Sequence, residues 1–197
     1  MLHRHQNIDH KMEEPLNPLD FVDRFAWRAW LEDHHAAHAE AWLFIRKKHS
    51  KTAGLFLEEA VEEAVCFGWI DGKLRGLDDQ RYLLRFSPRK PNSVWSVSNI
   101  RRVEELSRKG MMTEAGLAAV HEAKKSGQWK AAIDREHTDE IHPELEAALR
   151  LTEGAIEAYR NLTDSQKKLY IYWLQSARRE KTKLKRIEEI VKKVSVG

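Results

Sequence analysis

The chain has 197 residues, 42% of them hydrophobic and 33% charged, a globular balance that excludes a disordered polymer. No apolar run approaches the ~20 residues that a membrane-spanning helix needs. The single cysteine, Cys66, excludes an internal disulfide framework and suits a reducing compartment. The net charge of +3 is unevenly spread: residues 161–197 hold ten Lys/Arg against four Asp/Glu, while the first 160 hold 24 against 27. A basic C-terminal segment suits an acidic partner, nucleic acid or an anionic surface, and equally a solvated helix face. The start of the chain lacks the apolar core of a secretory signal, so the expectation is a cytoplasmic protein.

In chain order, residues 1–16 read as a flexible tail carrying His3, His5 and His10. Residues 17–31 read as a helix with Asp20 as N-cap and Val22, Phe25, Ala26, Ala29 and Trp30 on one face. His34 and His38 stand four apart, a spacing that suits a metal pair on a helix, but no third ligand accompanies them, so no metal is expected. The short aromatic run 41–47 predicts a strand. Residues 58–67 predict a helix, closed by Gly68 and lacking a capping side chain at Phe56.

Residues 69–75 and 80–86 predict two antiparallel strands. Alternation puts Ile70, Leu74, Tyr82, Leu84 and Phe86 on one face, and Asp71, Lys73, Arg75, Arg81 and Arg85 on the other. Two prolines make 87–92 a loop, and helices follow over 96–109 and 111–125, the second capped by Thr113. Residues 128–143 read as an irregular connector. Short helices are expected over 144–151 and 153–160. Thr163 and Gln166 form a capping box opening a helix to Ala177, and a last helix spans 182–194. The predicted class is α+β, predominantly helical, with a small antiparallel sheet in an α+β domain over 17–127 and a C-terminal helical module over 144–197.

Phosphate-binding glycine loops, zinc-protease helices, paired Cys-x-x-Cys and nucleophile elbows are absent, and no cofactor is expected. One constellation carries chemistry. Asp71, Arg85, Arg89, Ser93, Trp95 and Asn99 come from the hairpin, the proline loop and the next helix start. Cationic side chains, free helix N–H groups and a stacking aromatic together suit an anion. The plain alternative makes Trp95 a core residue, Asp71 a turn acceptor and the arginines solvated.

Glu59–Gly72, with Arg85–Arg89, Ser93–Ser96, Asn99, Arg102–Glu104 and Met112–Leu117, resembles the YdeI/OmpD-associated, or bacteriocin-protection, family. So do Pro143–Leu149, Tyr170–Arg179 and Lys183–Ile187, and the resemblance extends over about residues 20–195. Phe56 stands where that family suggests a helix-opening Thr. The resemblance implies bacteriocin or envelope-stress tolerance and brings no catalytic residues. Three functions follow as expectations. The first is a non-catalytic binding protein, with Arg85, Arg89, Trp95 and Asn99 on an anionic ligand or a protein partner. The second is a small enzyme with Asp71 as acid or base in an Asp71/Arg89 cleft. The third is nonspecific nucleic-acid binding by the basic C-terminal helices.

Overall fold

A computed structural model describes residues 17–195. The N-terminal stretch 1–16 that reads as a tail, with His3, His5 and His10, lies outside the described residues. The elements run α1 (Arg24–His34), β1 (Ala41–Arg46), α2 (Leu57–Cys66), β2 (Trp69–Gly76), β3 (Arg81–Pro88), α3 (Val97–Arg108), α4 (Glu114–Lys125), α5 (Gln128–Asp134), α6 (Pro143–Arg150), α7 (Ala155–Arg160), α8 (Asp164–Gln175) and α9 (Glu180–Ser195). The fold is α+β and predominantly helical, with one three-stranded antiparallel sheet among the described residues. No helix among them is long and apolar enough to cross a membrane.

The chain divides into two compact units. The first runs up to residue 89 and includes 106–118; the second takes 90–105 and everything from 119 onward.

In the first unit the sheet order is β1-β3-β2. Strand β1 forms where expected and alternates, with Ala41, Leu43 and Ile45 buried against Leu84 and Phe86 of β3. Helix α1 begins later than Asp20. Asp23 is the N-cap, accepting from the Ala26 N–H at 2.9 Å, while Asp20 bonds Arg46 at 2.9 Å. The buried face of α1 is that of Trp27 and Leu31, while Val22 and Phe25, placed on the apolar face by periodicity, are exposed. Trp27 is the hub of the core. Its indole N–H donates to the Ala60 carbonyl at 3.1 Å, and its ring meets those of Trp30, Trp69 and Phe86 with centroids 5.3–6.4 Å apart. Such ring pairs contribute about 0.5–1.5 kcal/mol each beyond the area they bury.

Helix α2 ends at Gly68, whose φ of +73° any side chain would strain. Phe56 supplies no side-chain cap, so Glu59 reaches back to its N–H at 3.4 Å. Thr113 caps α4 and is itself tied down, its N–H and Oγ1 both donating to the Cys66 carbonyl.

The second unit is helical. Helices α6, α7, α8 and α9 bury Leu145, Leu149, Ile156, Tyr159, Leu174, Ile187 and Ile190 in one cluster. The Thr163–Gln166 capping box opens α8 as expected. Leu169 and Leu184, placed on apolar faces by periodicity, are exposed. The stretch read as irregular contains α5, opened by Gly127 at φ +79°. Ring contact between Trp129 and Trp95, with centroids 5.3 Å apart, anchors that helix.

Candidate functional site

The hairpin departs from simple alternation at one point. Asp71 pairs with Phe86 and Leu74 with Leu84, so β2 holds one extra residue between them, a β-bulge. Paired residues share a face. Asp71 therefore lies on the Phe86 side, opposite Arg85, and Ile70 changes sides with it. The shared face for Asp71 and Arg85 expected from alternation is corrected by this bulge. Beyond it Arg75 rejoins the Arg81–Arg85 face, which also carries Trp42 and Phe44.

That face is basic and largely self-neutralised. Arg75 lies over the Trp42 ring at 5.1 Å and Arg81 over Phe44 at 4.8 Å. Carboxylates meet most of the cations: Asp78 on Arg81 at 2.9 Å, Asp20 on Arg46 at 2.9 Å, and Glu40 on Arg85 at 3.3 Å. On the other side Asp71 is close enough to Arg89 and Tyr82 to act on their charges. Burial lowers the Arg89 guanidinium to about 10, and the Asp71 charge opposes that fall.

Ser93, Trp95 and Asn99 belong to the second unit. Trp95 is 3% exposed, with its ring against Trp129. Asn99 is buried, accepting from Arg102 at 2.9 Å and donating its N–H to Ser96 Oγ at 3.2 Å. The Ser93 N–H closes a turn onto the Lys90 carbonyl.

Two arrangements escaped sequence reading. The first is Glu63, 1% exposed on α2. Arg24 Nε and Arg28 Nη1 each reach its carboxylate at 2.8 Å. Arg28 also donates to the Met111 carbonyl and covers the Phe67 ring. Burial, and then the Glu63 charge, pushes the neighbouring Cys66 thiol up to about 11, against the pull of Arg28. A thiol held protonated in this way is no nucleophile at neutral pH. His34 and His38, meanwhile, form an aromatic cluster with Trp30. No group of three or more metal-binding side chains assembles among the described residues.

The second is Arg135, which follows α5. It donates to the Trp95 carbonyl and to Gln175 Oε1 at 3.1 Å, and lies 5.8 Å from the Tyr172 ring centroid. Among the described residues no carboxylate lies within ion-pair distance of it. Its sequence neighbours are engaged elsewhere, Asp134 by Lys130 and Glu136 by Lys168, each at 2.7 Å. Burial lowers the Arg135 guanidinium from its ordinary value, with Tyr172, Glu136 and Asp134 opposing. Beside it opens a cavity of about 340 Å³ within the second unit.

The chain is thus a mixed α+β protein whose sheet face pairs Arg46, Arg81 and Arg85 with carboxylates and whose helical unit holds a half-buried arginine without one among the described residues. Residues 19–119, just over half of the chain, match the family model described as a domain of unknown function (DUF8412), and the chain belongs to that family. Residues 139–197 match the model described as bacteriocin-protection, YdeI or OmpD-associated. The YdeI/OmpD resemblance therefore holds over the C-terminal part. The motifs from Glu59 to Leu117 fall within the other match. No curated protein and no solved structure matches the chain.

Proposed function

We propose that the protein is a non-catalytic cytoplasmic binding protein for a small anionic ligand, acting in tolerance of bacteriocins or envelope stress. One observation carries the ligand: Arg135 stands half-buried beside a cavity, with no carboxylate to neutralise it among the described residues. Removing a cation from water is costly unless a counter-charge and hydrogen bonds replace that water. Arg46, Arg81 and Arg85 of the sheet have such partners in Asp20, Asp78 and Glu40. An anion in the cavity would supply the one Arg135 lacks. The tolerance role rests on the family matched by residues 139–197. The location rests on composition, with one buried cysteine.

The test is a thermal-shift series with phosphate, sulfate, citrate and chloride at matched ionic strength. A ligand bound only by the native state raises the melting temperature by an amount that grows with the logarithm of its concentration above Kd. The expected result is such a logarithmic rise with a polyvalent anion and none with chloride. A rise that follows ionic strength alone, whatever the anion, contradicts the proposal.

A further inference from the structure

We propose that the Arg135 cavity takes a phosphorylated sugar, an inference that rests on the anion reading above and assigns the ligand's class. The cavity, about 340 Å³, has the size of a small-molecule site. Its lining carries two kinds of polar group. Arg135 and Arg178 supply two guanidinium groups, the geometry that phosphate oxygens accept from. Arg178, in the loop between α8 and α9, makes no hydrogen bond or ion pair among the described residues, so its donors are open to a ligand. Asn92, Gln128 and Gln175 supply carboxamides. A carboxamide both donates and accepts, which matches a hydroxyl, itself donor and acceptor, whereas a bare anion uses only its NH₂. Gln175 has spent its oxygen on Arg135 and keeps its NH₂ for a ligand. Tyr172, 39% exposed, adds an aromatic surface for the carbon face of a sugar ring. Guanidinium donors together with groups that pair with hydroxyls describe a sugar phosphate better than a dicarboxylate or a free phosphate ion.

The test is calorimetric titration of the full chain with glucose 6-phosphate, ribose 5-phosphate, glucose, ribose and inorganic phosphate at fixed ionic strength. Expected is saturable binding of at least one sugar phosphate, at least tenfold tighter than inorganic phosphate, and no heat from the free sugars. Arg178→Ala removes one charge-assisted donor from an exposed loop and should weaken sugar phosphate and inorganic phosphate alike, by about tenfold or more. Gln128→Ala should weaken the sugar phosphate severalfold and inorganic phosphate less. Arg178 is exposed and Gln128 partly so, and circular dichroism of the variants should match wild type. Equal affinity for inorganic phosphate and sugar phosphates overturns the sugar assignment and leaves the anion reading standing. No binding of either overturns both. Binding that ignores both substitutions overturns the location.

Discussion

Glu63→Gln tests the internal design of the first unit. Glu63 is 1% exposed, so its charge is tolerated only because Arg24 and Arg28 hold it. Glutamine keeps the volume, removes the charge and turns an NH₂ toward a guanidinium. Breaking a buried ion pair from one side costs about 3–5 kcal/mol. Here the two arginine side chains keep 23% and 25% of their exposure, and Arg24 retains Glu62 at 2.9 Å, so water and that carboxylate recover part of the loss. The expected destabilisation is therefore about 2–3 kcal/mol, a fall in melting temperature of roughly 4–12 °C for a chain of this size. Urea unfolding followed by tryptophan fluorescence reads it, because the buried Trp27 bonds Ala60 on the same helix as Glu63. Glu62→Gln is the matched control: that carboxylate is 24% exposed, and its loss should cost under about 1 kcal/mol. Equal stability of Glu63→Gln and wild type, within about 0.5 kcal/mol, would show that this carboxylate is not the buried centre of the cluster.

Gly116→Ala should lower stability by about 2 kcal/mol or more, although alanine in a helix ordinarily gains about 1 kcal/mol over glycine. A Cβ there would lie 2.2 Å from the Cys66 carbonyl oxygen and 2.7 Å from its carbon, both backbone atoms; a stabilised variant by urea unfolding would contradict the packing of α4 on α2. The Cys66 thiol should resist alkylation in the native state at pH 8, and rapid labelling would contradict its burial. With its folded value raised from 9.0 to about 11, the thiol is protonated in both states below pH 9, and its contribution to stability is complete there. From pH 9 to about 11 the unfolded chain ionises first, so stability is lost as pH rises, by an amount on the order of 2 kcal/mol. Wild type should therefore lose more stability than Cys66→Ala between pH 8 and 11, and parallel losses would refute this.

Local signals in the sequence reached far into the fold. The Thr163–Gln166 box, the Thr113 cap and the short aromatic strand at Ala41–Arg46 all act over a few residues, and each stands in the structure. What escaped was long-range or depended on a single residue of register. The extra residue between Asp71 and Leu74 reverses which face Asp71 occupies, and no local pattern announces it. Asp23 and Asp20 are equally good caps by residue type; the bond from Arg46 to Asp20 decides between them across 26 residues. Glu63 finds its arginines 39 and 35 residues away. The available signal was an acid among the apolar positions of α2 and an i, i+4 arginine pair on another helix. Arg135 lies in the stretch that reads as an irregular connector, and the contact of Trp129 with Trp95 that accompanies a helix there has no local signal. The constellation around Asp71 and Trp95 follows from residue types that carry charge or rings, and residue type does not say which charges are already paired.

Side-chain NMR of the arginine Nε–Hε groups during titration with inorganic phosphate tests anion binding at Arg135 most directly. Each arginine gives its own signal, so the readout is a location as well as an affinity. Saturable shifts confined to Arg135 and Arg178, with Arg81 and Arg85 unmoved, are the expected result. Shifts confined to Arg85 and Arg89 would place the anion in the first unit instead. Shifts in no arginine would contradict anion binding at this concentration of positive charge.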